Sequence, residues 1–149
     1  MSPSPSVVRR RLLPWLLMSL LLLGACSRSD PEQELLKTAQ ALQTAIEARN
    51  TGDVMALVDE HFRGGGGLDP TSTRRMLTGM FLRYQTIKVV ALAPSVRIDP
   101  AAPTLGYIES PVVVTGAQGL IPERAEPYTV RTEWRLVAGD WKLSDLRWE

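Results

Sequence analysis

The sequence contains a single cysteine and a single histidine among its 149 residues. One cysteine cannot form a disulfide within the chain, so side-chain packing has to hold the fold together. One histidine and no pair of cysteines argue against a metal site, and we expect no cofactor. The apolar run at residues 12–23 is shorter than the about 20 residues that a membrane-spanning helix needs. The composition therefore predicts one small domain with one hydrophobic core.

The N-terminal residues have the pattern of a targeting segment. Arg9–Arg11 form a basic region, the apolar run Leu12–Leu23 follows, and the small residues Gly24-Ala25 stand in front of Cys26. This order resembles the lipobox of bacterial lipoproteins. The resemblance implies cleavage before Cys26 and attachment of a diacylglycerol and an N-acyl chain to that residue. The alternative is a secreted domain with an incidental free cysteine.

Removal of this segment changes the charge of the chain. The predicted boundaries are residues 1–25 for the signal peptide, 26–30 for a lipidated tether and 31–149 for the domain. Of 17 basic residues, the three of Arg9–Arg11 leave, so 14 remain against 16 acidic residues. A mildly acidic domain is a poor nucleic-acid binder, and we expect none as a partner. Ser27, in place of an aspartate after Cys26, favours the outer membrane, with the domain facing the periplasm.

Apolar spacing predicts three helices followed by strands. Asp30 and Pro31 mark a helix start, and apolar residues at intervals of three and four continue towards Asn50. Asp53 starts a second helix, whose apolar stripe includes His61. The third helix is expected at about residues 71–84, and the strands at about residues 86–93, 104–115, 128–137 and 141–148.

The order of these elements resembles the nuclear-transport-factor-2-like superfamily, also called ketosteroid-isomerase-like or cystatin-like. The resemblance rests on the helices around Gly52-Asp53, on the third helix and above all on the terminal hairpin Trp134–Leu143. It implies an α+β cone in which three N-terminal helices pack in a curved antiparallel sheet of about four to five strands. It also implies an apolar pocket and frequent dimerisation across the sheet, but no single function. The Gly64–Gly67 loop departs from the pattern, because it stands where a first short strand is expected.

The terminal hairpin predicts which side chains enter the pocket. If Gly139-Asp140 is the two-residue loop, Trp134 pairs with Asp145. This register places Asp145 on the inner, mostly apolar face. Leu146 and Trp148 then lie on the outer face, where a second copy or another partner would cover them.

Two hypotheses about function follow from this register. An isomerase or dehydratase would use Asp145 as a general base, together with His61 or a tyrosine. In the structural interpretation, Asp145 pairs with Arg147, or a bulge at Ser144-Asp145 turns the last residues of the strand inwards. His61 then only stabilises the end of its helix. We expect the structural interpretation, and therefore a non-catalytic binding or envelope-assembly protein.

Four residues are candidates for lining the pocket. Tyr84, Tyr107 and Trp134 could orient a ligand through their polar tips, although aromatic residues at such spacing more often pack in cores. Glu109 shares the alternation of Tyr107 and would be a buried acid unless a bulge at Pro111 displaces it. The expected partners are the membrane through Cys26, a second copy of the chain, and a small apolar ligand or an envelope protein.

Overall fold

Three helices and a six-stranded sheet form the part of the chain that the structure describes, residues 30–117 and 124–149. The structure is a computed structural model. The helices are α1 (Pro31–Glu47), α2 (Thr51–Ala56) and α3 (Pro70–Arg83), with a short helical turn at Gly65–Gly67 before α3. The strands are β1 (Val58–Gly64), β2 (Thr86–Ala91), β3 (Ser95–Ile98), β4 (Leu105–Ala117), β5 (Arg124–Val137) and β6 (Asp140–Trp148). The α+β class and the three helices are confirmed, and the sheet has one strand more than the upper expectation. The signal peptide and Cys26 lie outside the described residues.

The sheet is antiparallel except at one edge. Its order is β1-β6-β5-β4-β2, and only β1 runs parallel to its neighbour. The long strand β4 pairs with β3 over its first half and with β2 over its second half. The hairpin of β4 and β5 therefore forms the centre of the sheet, on which the helices pack.

Side-chain caps fix where α1 and α3 begin. The Asp30 carboxylate accepts a hydrogen bond from the backbone N–H of Glu32 at 3.0 Å, as the sequence predicted. Asp69 accepts from the N–H of Ser72 at 2.7 Å, and the Ser72 hydroxyl accepts from the N–H of Asp69 at 2.9 Å. The hydrogen bond from the Ser72 N–H lowers the pKa of Asp69.

Strand β1 replaces the second half of the helix that was predicted after Asp53. Helix α2 ends at Ala56, and Val58–Gly64 form a strand beside β6. The apolar residues Val58 and Phe62 are four apart, which fits a helix, but burial alternates around Phe62 as in a strand. The short strand that the resemblance implied is thus present. The glycine loop follows this strand instead of replacing it.

The terminal hairpin has a different register from the predicted one. Its loop is Ala138-Gly139, which both have positive φ, and Val137 pairs with Asp140. Trp134 therefore pairs with Leu143 instead of Asp145. The register then shifts by one residue at Ser144, as a β-bulge does. This bulge is the alternative that the sequence had left open.

The core between the sheet and the helices has two parts. The first lies under the N-terminal half of α1 and contains six buried residues, Leu35, Phe62, Ile108, Trp134, Trp141 and Leu143. The second lies between the C-terminal half of α1 and α3 and contains Ala45, Val54, Leu77, Phe81 and Ile87. Side chains of the protein itself thus occupy the inner space next to Trp134.

Helix α1 also covers the edge of the sheet at β2. Gln43 Nε2 donates to the carbonyl of Val89 at 2.7 Å, and the Glu47 carboxylate accepts from the N–H of Val89 at 2.9 Å. Glu47 also binds Lys88 Nζ at 3.0 Å. The Val89 N–H and the Lys88 ammonium lower the pKa of Glu47. Both polar backbone groups of Val89 are therefore satisfied at an edge where no neighbouring strand could do so.

None of the helices in residues 30–117 and 124–149 is both long and apolar enough to cross a membrane.

Candidate binding groove on helix α3

Alternation in β4 and β5 separates an inner face of the sheet, towards the helices, from an outer face. Ile108 and Trp134 are buried against the helices, so their sequence neighbours face the other way. Tyr107 and Glu109 therefore lie on the outer face. The structure places both of them away from the inner pocket for which the sequence predicted them, and Glu109 is not a buried acid.

Asp145 lies on the outer face as well. It pairs with Glu133 across β5 and β6, because the bulge at Ser144 shifts the alternation by one residue. Its nearest cation is Arg147, whose Nε donates to Asp145 Oδ1 at 3.0 Å. This contact raises the pKa of Arg147. The arrangement predicted for a general base, a carboxylate beside Trp134 in an apolar wall, is therefore not the one found.

A second ion-pair group occupies the same face. Arg131 lies between two carboxylates, with Nε at 3.2 Å from Glu109 and Nη1 at 2.6 Å from Glu149. The two carboxylates raise the pKa of Arg131, first through their hydrogen bonds. All three side chains are more than half exposed, so water and salt screen these pairs, and each pair stabilises the fold little.

His61 lies on β1 and points to solvent. Its side chain is 76% exposed, and its Nε2 is 3.6 Å from Glu60 Oε1. No contact joins it to Asp145 within the described part of the chain. The predicted role at a helix end does not apply either, because His61 is a strand residue.

Trp134, Leu146 and Trp148 all belong to the inner side of the last hairpin. Trp134 is 1% exposed, and its Nε1 donates to Thr132 Oγ1 at 2.8 Å. Leu146 packs against the same core, whereas Trp148 is 43% exposed and its ring lies against Gly65. Leu146 and Trp148 are thus not on the outer face. Their part in an interface remains a prediction.

A groove of about 610 Å³ runs along α3. Its volume is within the range of small-molecule sites. Seven residues line it, Ser72, Arg75, Met76, Gly79, Met80, Arg83 and Tyr84. Of the four residues predicted to line a pocket, Tyr84 alone is among them.

Helical periodicity explains why this side of α3 is open. The ridge of Thr73, Leu77 and Phe81, spaced by four, is buried on the inner side. The next ridge contains Met76 and Met80, which are 40% and 38% exposed. Flexible thioether side chains adapt to differently shaped apolar ligands. The groove is therefore an apolar surface that the described part of the protein leaves uncovered.

The charge of the groove is positive. Helix α3 contains three arginines and no acidic residue. Arg83 lies over the ring of Tyr84 at 5.5 Å, and neither Arg74 nor Arg75 forms an ion pair with any described residue. The Asp69 carboxylate lies at the Ser72 end of the groove, but no described carboxylate pairs with Arg75 or Arg83, so both arginines are available to an anionic group.

Within residues 30–117 and 124–149, no three histidine, cysteine, aspartate or glutamate side chains come together as metal ligands.

Solved structures of several proteins share this architecture. Bd1075 of Bdellovibrio bacteriovorus superposes with a TM-score of 0.69 at 14% identity over 78% of this chain, which spans only 40% of Bd1075. A provisionally assigned dehydratase of the nuclear-transport-factor-2-like family from Streptomyces avermitilis gives 0.67 at 11% identity, over 78% of this chain and 93% of the other. The association domain of CaMKII from C. elegans gives 0.62 at 12% identity, with the same coverage of both chains. The chain has a nuclear-transport-factor-2-like fold. No family model and no curated protein matches the sequence.

The nuclear-transport-factor-2-like fold alone does not choose among functions, since the same scaffold carries different sites. Among the described residues, the α3 groove is an open site with a chemically distinctive lining. The sequence patterns did not point to Met76, Met80 or Arg75 as site residues. The signal that was available is a glycine inside a helix that contains arginines but no acid.

Proposed function

We propose that this protein is a lipid-anchored binding domain of the bacterial envelope, held through Cys26 on the outer membrane and facing the periplasm. It binds an apolar ligand in the α3 groove without transforming it. The observation that carries this proposal is the uncovered Met76–Met80 ridge in a groove of about 610 Å³. The groove lining contains no aspartate, glutamate, histidine or cysteine that could act as a base or nucleophile.

The alternative is a small isomerase or dehydratase that uses Asp145, as in the enzymatic branches of the fold. A solved relative is provisionally assigned as a dehydratase. At 11% identity this likeness supports the fold and not the activity. The outward position of Asp145 and its contact with Arg147 favour binding over catalysis.

Asp145→Asn separates the two functions. Because Asp145 lies on the outer face beside an exposed arginine, we expect the variant to keep its ligand binding and its unfolding temperature almost unchanged. Loss of an isomerase or dehydratase activity that the wild type shows, with ligand binding and the unfolding temperature unchanged, would instead make Asp145 a catalytic base, because asparagine keeps the shape of aspartate but cannot accept the proton. Arg147→Gln is the matched control, because it removes the other half of the same ion pair.

The anchor is tested by mass spectrometry of the protein extracted from a bacterial host's membranes. We expect the mature chain to begin at Cys26 and to carry three acyl chains, and Cys26→Ser to abolish the modification. An unmodified, soluble protein would refute the anchor. The mass under native conditions also shows whether the protein self-associates. This is measured because one of the solved structures with the same fold is an association domain.

The groove is tested with a photoactivatable apolar probe. The full chain in phosphatidylcholine nanodiscs is irradiated with a diazirine-bearing dodecanol, and the adducts are mapped on tryptic peptides. Trypsin cuts after Arg75 and Arg83, so the groove peptide Met76–Arg83 is released as one piece. We expect labelling of this peptide in the wild type and much less in Met80→Glu.

Leu82→Glu is the matched control for this experiment. Leu82 is on the same helix and 83% exposed, but it does not line the groove. Its substitution should therefore leave the labelling unchanged. Equal losses in both variants would show that the probe merely adsorbs to exposed apolar side chains, and the groove would no longer support the proposal.

A further inference from the structure

Gly79 on α3 differs from every other glycine in residues 30–117 and 124–149. Those glycines either have a positive φ or would bring a Cβ within 3.5 Å of another heavy atom. At Gly79 φ is not positive, and a Cβ would meet nothing within 4 Å. Glycine destabilises the interior of a helix, so its presence here has no explanation in the packing or backbone of the described residues.

The position of Gly79 suggests what the glycine is for. It belongs to the groove lining, between the Met76–Met80 ridge and Arg75 and Arg83. The absence of a side chain lets another molecule reach the helix backbone at this point, which is a recurrent use of glycine at ligand sites. The groove thus has Gly79 as its floor and Met76 and Met80 as an apolar wall. Arg75 precedes Gly79 in the sequence and Arg83 follows it, each by four residues.

The positive charges of Arg75 and Arg83 indicate which kind of molecule the groove binds. A symmetric pairing of two copies centred on Gly79 is disfavoured, because Arg75 of each copy would lie near Arg83 of the other and α3 contains no acidic residue. A cationic ligand is disfavoured for the same reason. An anionic group beside an apolar body complements both the arginines and the methionines.

The position of α1 allows the groove to bind a free ligand away from the membrane surface. Arg49, just beyond the C-terminus of α1, donates to the carbonyls of Phe81 and Tyr84 at 3.4 Å. The Tyr84 end of the groove is therefore near the C-terminus of α1, about 25 Å along that helix from Asp30. The tether between Cys26 and Asp30 spans only about 14 Å when extended.

From Gly79, the arginines and this geometry, we infer that the α3 groove binds a single-chain anionic amphiphile, such as a fatty carboxylate. The chain lies over Gly79 between the two methionines, and the carboxylate contacts Arg75 or Arg83. This inference rests on the proposed binding function and adds the ligand class to it.

The test compares three photoactivatable probes with the same twelve-carbon diazirine chain, a carboxylate, an alcohol and a trimethylammonium. They are applied below their micelle-forming concentrations to the full chain in phosphatidylcholine nanodiscs, and adducts on the groove peptide are counted. We expect the carboxylate to label about two- to fivefold more than the alcohol, and the cation least. In Arg75→Gln combined with Arg83→Gln, trypsin releases the groove as residues 75–88. Carboxylate adducts on this longer peptide should fall to the level of the alcohol.

Gly79 provides a test that does not depend on charge. Gly79→Leu fills the floor of the groove and should abolish labelling by the carboxylate. Gly79→Ala should weaken labelling while raising the unfolding temperature, because alanine favours the helix and meets no other atom. Weaker binding in a more stable protein cannot be attributed to loss of fold.

Each contrary result has a distinct meaning. Equal labelling by all three probes, lost in Gly79→Leu, would overturn the anionic class but leave the binding function in place. Labelling that persists in Gly79→Leu would overturn the use of this groove. Binding to vesicles that contain phosphatidylglycerol, without labelling by the monomeric carboxylate, would overturn the inference in favour of a membrane-docking surface.

Discussion

Gly106→Ala tests how closely α1 approaches the sheet. Gly106 lies on the inner face of β4, and a Cβ added there would overlap Leu35 Cδ2. The same Cβ would lie 3.2 Å from Ile98 Cδ1 and 3.5 Å from the ring of Trp141. Leu35 is 0% exposed, so its side chain has no free space into which to rotate. The extra methyl group must therefore displace α1 or distort the strand.

The magnitude follows from two opposing effects. Adding volume to a packed core costs about 1–3 kcal/mol, and the enclosed position of Leu35 favours the upper end. Replacing a glycine inside a strand returns about 0.5–1 kcal/mol of backbone entropy. We expect Gly106→Ala to lower the free energy of unfolding by about 2 kcal/mol. For a domain of this size the unfolding temperature should fall by about 8 °C.

Thermal and denaturant unfolding followed by tryptophan fluorescence measures this change. Gly79→Ala is the matched control, because the same substitution meets no atom there and should stabilise the protein by about 1 kcal/mol. Leu35→Ala removes the overlapping atom, so adding it to Gly106→Ala should destabilise less than the sum of the single changes. Equal, small effects of the two glycine substitutions would refute the close contact between α1 and β4.

Two further predictions concern groups whose pKa the fold lowers. Glu47 contributes stability above its usual pKa near 4.5, and this contribution is lost as the pH falls through its lower pKa in the folded protein. Glu47→Gln should therefore weaken the dependence of the unfolding free energy on acid pH. Identical pH profiles of the variant and the wild type between about pH 2 and pH 7 would contradict the contact with Val89. Asp69→Ala should lower the unfolding temperature more than Asp69→Asn, because asparagine can still accept a hydrogen bond at the start of α3. Circular dichroism melting of both variants checks this order, and equal losses would show that the cap contributes little.

Strong local signals were sufficient to predict most elements. The third helix was expected at residues 71–84 and lies at Pro70–Arg83, because Asp69, Pro70 and the apolar spacing agree. By contrast, the residues of β1 are too few to distinguish a helix from a strand by spacing. Their structure depends on pairing with β6, a contact between residues distant in sequence.

Placement of the site residues failed for a related reason. Side chains alternate along a strand, so one extra residue moves all later ones to the opposite face. The move of the loop to Ala138-Gly139 changes which residues pair but not the face on which they lie. The bulge at Ser144 reverses the predicted face of Asp145, Leu146 and Trp148. No local property of the sequence around Ser144 predicts the bulge. The α3 groove, by contrast, depends on helical periodicity, and Gly79 could have been recognised as an exception within it.

If the chain is lipid-anchored as proposed, the side chains of α1 that bind Val89 affect how many copies on one membrane behave together. Lipid-anchored proteins are confined to a surface, where their local concentration is high and exposed strand edges can join into aggregates. At β2 a second chain could reach the backbone of Val89 only after Gln43 and Glu47 had both been displaced. Helix α1 therefore protects the β2 edge from pairing with a strand of another chain. Protonation of Glu47 at acidic pH would weaken this protection at the N–H group of Val89.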